Sequence, residues 1–252
     1  MKFISYAQNF EDVILNRAFK GRDDGFYIDV GAAHPTGHSV TKNFYDRGWR
    51  GINIEPGSTF FGLIESERVE DLNLNIGLSN IAGELTFFEA PDSLGISTFN
   101  REWSRDWNSR EGWKFVERKV PILTLKQICE AHVRGPIDFL KIDVEGHERE
   151  VIDGGDFSRW RPRIVLAEGE REHYQATLLA SGYLHAVNDG VNHYFVREED
   201  RDLIPALAAP VSLVNDNFEL YEYTQQIKDL RWLLDQERSQ HEQTRTLVAR
   251  AS

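Results

Sequence analysis

The chain reads as an α/β protein, a mostly parallel sheet finished by an antiparallel hairpin and followed by a C-terminal helix. Three observations predict this. Short β-rich runs bounded by turn residues alternate with helix-like segments, as crossover units on a parallel sheet require. The last two runs flank Asn188-Asp189-Gly190, whose Asp-Gly pair favours the positive φ angles of a tight hairpin turn. Past about residue 212 glycine and proline disappear in favour of Glu, Gln, Arg and Leu. In order, strands are expected over 26–31, 51–55, 72–78, 137–143 and 164–168, then the hairpin over 183–187 and 193–196. Helices are expected near 39–47, 59–67, 124–133, 148–153 and 172–181. The division is a globular domain over 1–210 and an amphipathic helix over 211–252.

Composition narrows the function. With 29 basic and 41 acidic residues the 252-residue chain carries a formal charge of −12, which argues against a protein whose main task is gripping nucleic-acid phosphates. Cys129 is the single cysteine, so no disulfide or multi-thiol metal site forms within the chain, and a reducing, cytoplasmic setting is expected. No run approaches the ~20 apolar residues of a membrane span, and the first residues, MKFISYAQNFED, carry acids where a signal peptide is apolar.

The most informative stretch is Phe26-Tyr27-Ile28-Asp29-Val30-Gly31-Ala32-Ala33, a strand whose polar Asp29 and small residues arrive at the end where doubly wound sheets bind ligands. Gly31 and Ala32 let a cofactor approach the backbone closely. After the loop from His34 to His38, Ser39 is placed to cap a helix and leave amide donors facing a carboxylate or phosphate. Glu55 ends the next strand 24 residues beyond Gly31, the position of an acid that accepts from ribose hydroxyls. A dinucleotide would want a GxGxxG loop, and the third glycine is missing here. S-adenosylmethionine, with a ribose and a carboxylate but no pyrophosphate, fits better. Asn75 and Ser79 near the end of the third strand are placed either to bond an adenine edge or to make the following turn.

In Phe139-Leu140-Lys141-Ile142-Asp143-Val144-Glu145-Gly146-His147, period two puts Lys141, Asp143 and Glu145 on one side of a buried strand's ligand end. Such charges are costly unless paired or used. These stretches, with Tyr6-Ala7-Gln8-Asn9-Phe10-Glu11-Asp12, Ser39-Val40-Thr41-Lys42 and Gly48-Trp49-Arg50-Gly51-Ile52-Asn53-Ile54-Glu55-Pro56, resemble the FkbM-type methyltransferases over roughly residues 3–200. The resemblance implies a seven-stranded Rossmann-like class I methyltransferase sheet, S-adenosylmethionine as cofactor, and O-methylation, often of sugars in glycans, glycolipids or natural products. It also implies that Tyr6, Gln8 and Asp12 fold over the cofactor. Where the family has Gly-Ala-Asn, this chain has Ala33 followed by His34.

Methyl transfer to oxygen is an in-line displacement, so an acceptor hydroxyl must be aligned and its proton removed. Asp143 is the expected base or the group that orients one, and Glu145 and His147 stand behind it. Lys141 is either part of that machinery or the structural partner of a nearby acid. Asp143, Glu145, Glu168 and Glu170 have the oxygen chemistry of metal ligands, but no spacing is diagnostic and no metal is assigned. Between the third and fourth strands, Trp103, Trp107 and Trp113 lie among Arg101, Arg105 and Arg110. Ring faces stack on sugar C–H surfaces and guanidinium groups bond hydroxyls, so Trp103, Trp107 and Arg105 are expected to contact a carbohydrate acceptor, or else to pack an insertion onto the domain. A domain that has lost catalysis and serves as a binding or scaffolding module through its terminal helix is the alternative function. Leu220, Tyr223, Ile227, Leu230 and Leu234 alternate steps of three and four, continued by Glu237, His241, Thr244 and Val248. The tail therefore either folds back as a single amphipathic helix or joins another helix, in a second copy or a neighbouring domain.

Overall fold

The computed structural model describes residues 3–91, 93 and 95–251, with side chains as far as residue 238. The chain opens with β1 (Phe3–Ser5), α1 (Glu11–Ala18), β2 (Phe26–Val30), α2 (Lys42–Asp46), β3 (Arg50–Ile54), α3 (Ser58–Glu67) and β4 (Leu72–Leu74). An excursion follows through β5 (Gly77–Leu78), β6 (Gly83–Glu89), α4 (Arg101–Glu111) and β7 (Val116–Leu123). Then come α5 (Leu125–His132), β8 (Phe139–Ile142), α6 (Glu148–Asp153), β9 (Ile164–Glu168), α7 (Gln175–Ala180), β10 (Tyr183–Asn188) and β11 (Asn192–Arg197). The chain finishes with α8 (Ile204–Ala208), β12 (Phe218–Leu220) and α9 (Tyr221–Ala251).

Seven strands form the main sheet in the order β10-β11-β9-β8-β2-β3-β4, and β11 alone runs against its neighbours. This is the parallel sheet with a terminal hairpin that the alternation of runs predicts. Its inner strands are apolar because helices cover both faces. On one face Ile28, Ile52, Leu140 and Val165 pack with Ile128, Val151 and Leu178 from α5, α6 and α7. On the other, Tyr27, Phe139 and Leu166 pack with Leu15, Phe44 and Leu207 from α1, α2 and α8. The order of strands reverses at β2, so a crevice opens where the chain leaves β2, β3 and β8, the switch point of a doubly wound sheet.

Several local expectations are corrected. The run 72–78 is not one strand: β4 ends at Leu74, and β5 joins a separate three-stranded sheet, order β5-β7-β6. The break falls at Asn75, whose amide donates to the backbone carbonyls of Glu55 at 2.8 Å and Pro56 at 3.2 Å. The helix expected from Ser39 begins at Lys42, and Ser39 is buried rather than capping it. β1 pairs in parallel with β12, tying the N-terminal arm to the segment before the last helix. Over residues 223–237 the stripe on that helix is not covered. Tyr223, Ile227, Leu230 and Leu234 remain 49–60% exposed, and Glu237 is exposed as well. His241, Thr244 and Val248 lie outside the residues whose side chains are described.

Candidate active site

The parallel register sets Asp29 of β2 opposite Lys141 of β8. Lys141 Nζ lies 3.4 Å from Asp29 Oδ1 and 3.2 Å from Asp143 Oδ2, and it donates to the Gly31 carbonyl at 2.7 Å. Burial alone would lower the lysine's pKa, but the Asp143 and Asp29 charges hold it well above the ordinary value. Thr41 Oγ1 donates to Asp29 Oδ2 at 3.0 Å, so Asp29 serves Lys141 and the loop beneath the crevice. Gly31 takes φ +76, and a Cβ there would stand 1.8 Å from the Asp143 carbonyl oxygen. Only glycine fits where the two loops touch. Its amide and that of the buried Ala32 both donate to the Ile54 carbonyl, at 3.0 and 3.2 Å.

Glu55, 5% exposed, accepts from the Ala33 amide at 2.9 Å and from the Gly57 amide at 2.6 Å. Burial pushes its carboxyl up to about 7 against the pull of these two donors and Lys141. Ala33 itself is left-handed, φ 48. The loop beyond is closed by His34, whose Nδ1 accepts from the amides of Thr36 at 3.1 Å and Gly37 at 2.9 Å, and burial lowers its pKa. That nitrogen is therefore the unprotonated one.

Above these residues lies a narrow cleft with a cavity volume of about 50 Å³. Gly31 and Ala33 line its base, Glu55 and Pro56 one side, and Asp143, Val144 and Glu145 the far end. Phe60 from α3, Phe87 from β6 and Phe99 from the loop before α4 supply aromatic walls. The far end is acidic. Burial, reinforced by Asp143, Glu168 and Glu148, pushes Glu145 up to about 9, and burial with the adjoining Asp143 charge pushes Glu168 up to about 8. At pH 7 this favours the protonated form of Glu145. Glu170 is exposed and lies 3.3 Å from His173, and no group of three or more metal-ligating side chains is gathered among the described residues.

A family model, the methyltransferase FkbM domain, matches residues 29–203, well over half of the chain. The chain belongs to the FkbM methyltransferase family. Among solved structures it is similar to the precorrin-6y C5,15-methyltransferase of Geobacter metallireducens GS-15, at 12% identity and a TM-score of 0.40, covering 78% of this chain and 90% of that one. No curated protein matches its sequence.

Within this FkbM domain the structure gathers Gly31, Glu55, Asp143 and Glu145 around the cleft and places other expected residues elsewhere. His147 Nε2 lies 3.1 Å from the Ser79 hydroxyl and its Nδ1 3.6 Å from Glu150, in a pair behind the Phe99 ring. Ser39 Oγ accepts from Arg68 at 2.9 Å. Trp103 and Trp107 meet edge to face on α4 with centroids 5.6 Å apart, while Arg105 is exposed. None of the three lines the cleft, but α4 is capped by Asn100, the residue next to Phe99. Tyr6 packs tilted against Tyr221 with centroids 4.8 Å apart, Gln8 is exposed, and the fully buried Asp12 anchors the N-terminal arm by accepting from Ser5 Oγ and the Tyr6 amide at 2.7 Å each. None of the three lines the cleft. Sequence reasoning missed Phe60, Phe87, Phe99 and Thr41. The β-rich run 83–89 ahead of the alternating 116–123 was the signal for the hairpin that carries Phe87.

Proposed function

We propose that this FkbM-family enzyme transfers a methyl group from S-adenosylmethionine to a hydroxyl oxygen of a carbohydrate-containing acceptor. The observation that carries the reading is the cleft itself, with a buried carboxylate at one end, a glycine-lined base and an acidic far end. Glu55 has lone pairs left beyond its two backbone donors, and these accept from the ribose hydroxyls. The Phe60, Phe87 and Phe99 rings would hold the adenine, and the backbone of Gly31 and Ala33 would take the amino-acid moiety. The family likewise implies this cofactor. When bound, it supplies a sulfonium methyl carbon open to in-line attack.

The remaining work falls to this chain. Asp143, held in place by Lys141, takes the proton that the acceptor oxygen gives up as it attacks. Protonated Glu145 donates toward the acceptor, and its position is fixed by the Thr98 hydroxyl, which donates to the Glu145 carbonyl at 2.7 Å. Trp103 and Trp107 present ring faces to the sugar from α4, and the Trp103 indole N–H is buried without a partner among the described residues, a donor an acceptor hydroxyl would satisfy. Arg105 bonds outlying hydroxyls. Ser39 and Asn75 act by holding the loop and the Glu55 backbone rather than by touching the cofactor. The exposed stripe on α9 joins another helix, in a second copy or a neighbouring domain. Cys129, a buried free thiol pushed up to about 12, suits a reducing cytoplasmic setting.

The test is calorimetry with S-adenosylmethionine followed by transfer of labelled methyl to a panel of oligosaccharides. No binding to the cofactor defeats the enzyme reading. Transfer confined to acceptors without a sugar retains the enzyme and defeats the carbohydrate assignment.

A further inference from the structure

We infer that Arg68, which lies outside the cleft, is the positioning residue that locks the loop from Gly31 to Thr41 in its cofactor-binding shape. This rests on the reading of that loop as the cofactor's cradle. Arg68 follows α3 directly and is 2% exposed. Its Nε and Nη2 both donate to the Pro35 carbonyl, at 3.1 and 2.6 Å, and Nη2 donates to Ser39 Oγ at 2.9 Å. One planar fork therefore grips the loop at two points four residues apart.

The clamp is rooted in the sheet. Arg68 Nη1 stands 3.4 Å from the Tyr27 hydroxyl of β2 and 3.9 Å from Asp71 Oδ2. Asp71 accepts in turn from Tyr27 Oη at 2.5 Å, from Asn53 Nδ2 at 3.0 Å and from the Gly51 amide at 2.8 Å, the last two on β3. Replacing such a buried pair by apolar side chains of similar volume is often neutral or stabilising, so its presence calls for a role in specifying shape. The loop supplies that role. Ala33 at φ 48 and His38 at φ 59 occupy the left-handed region that side chains with a Cβ avoid. Such conformations persist only where the surroundings over-determine them. His34 secures the loop from within, Glu55 holds the Ala33 amide, and Arg68 fastens the outer side. Freeing Pro35 and Ser39 lets Ala33 relax and takes one donor from the Glu55 carboxylate that faces the ribose.

Arg68→Lys keeps the charge and loses the fork. It is expected to raise the Kd for S-adenosylmethionine about tenfold, the loss of one charge-assisted hydrogen bond, and to speed amide exchange across residues 33–39 in the cofactor-free protein while leaving the β8 amides protected. Ser39→Ala removes a single acceptor, should raise Kd about two- to fivefold, and carries the test if circular dichroism shows that Arg68→Lys fails to fold. Folded variants with unchanged Kd and unchanged exchange overturn the clamp. Exchange is read without cofactor, so a parent chain that binds no S-adenosylmethionine would defeat the cofactor reading while the clamp is still judged on its own.

Discussion

Glu55→Gln is expected to weaken S-adenosylmethionine binding about 10- to 100-fold at pH 8 and less than about fivefold at pH 5.5. The carboxyl is 5% exposed and is pushed up to about 7 from the ordinary 4.5. At about 1.4 kcal/mol per pH unit, keeping it charged in the folded protein costs on the order of 3 kcal/mol. Below pH 4.5 the group is protonated folded and unfolded alike. Between 4.5 and 7 the unfolded chain releases the proton that the folded chain keeps, so the stability this group lends is complete below 4.5 and is lost as pH rises through 7. Cofactor binding has the opposite preference. In the proposed complex the charged carboxylate would accept from both ribose hydroxyls while still serving the Ala33 and Gly57 amides. Glutamine has one acceptor oxygen and sets an NH₂ group against one of those donors, so one ribose bond worth about 1.5–3 kcal/mol goes. At pH 5.5 the parent carboxyl is itself neutral, and the gap closes. Titration calorimetry at both pH values reads the effect, and thermal melts at pH 8 should show the variant no less stable. Equal affinities at pH 8, or a gap equally wide at both, would refute the assignment.

Asp143→Asn should leave cofactor affinity within about threefold and lower methyl transfer at least about a hundredfold, the lower end for a positioned base; full turnover with an authentic acceptor would remove Asp143 from the chemistry. Ala33→Asn should raise the melting temperature by about 2–4 °C, because asparagine tolerates the left-handed backbone at φ 48 where alanine pays about 1 kcal/mol; a lower melting temperature by calorimetry would show that the side chain clashes in the loop. Ile227→Asp combined with Leu230→Asp should turn an assembly of the full chain into monomers without changing cofactor affinity, as light scattering after size exclusion reads directly. A parent chain that is monomeric at high concentration would leave the α9 stripe to a partner other than a second copy.

The central sheet was legible because its inner strands are buried on both faces and so read as apolar runs of nearly the observed length, from Ile28 to Val165. Gly31 and Glu55 were legible as residues at the strand ends beside the cleft, which both of them line, but the glycine expected to admit a cofactor is required here by the Asp143 carbonyl that its Cβ would meet. What escaped depended on contacts made far along the chain. The alternation from Leu72 to Leu78 suits one strand, yet the sheet ends at Leu74 because Asn75 turns to the Glu55 backbone. Ser39 has the chemistry of a helix cap, but a buried guanidinium 29 residues later claims its oxygen. The β1–β12 pair joins residues 3–5 to 218–220, a separation no local pattern reports.

Asp29 shows how a correct motif can carry a different duty from the one its position suggests. A polar residue at the end of the first strand invites a direct cofactor contact, but Asp29 is 2% exposed and faces Lys141 across the parallel pair. An unpaired lysine at that depth would shed its proton. The Asp143 and Asp29 charges keep Lys141 protonated, and the ammonium then reaches the Gly31 carbonyl and Asp143 at the same time. The base under the cleft is thus an ionic bracket between the loops after β2 and β8. On the proposed reading it ties the cofactor loop to the residue that would take the acceptor's proton, so loss of Asp29 is expected to act on both halves of the reaction through Lys141.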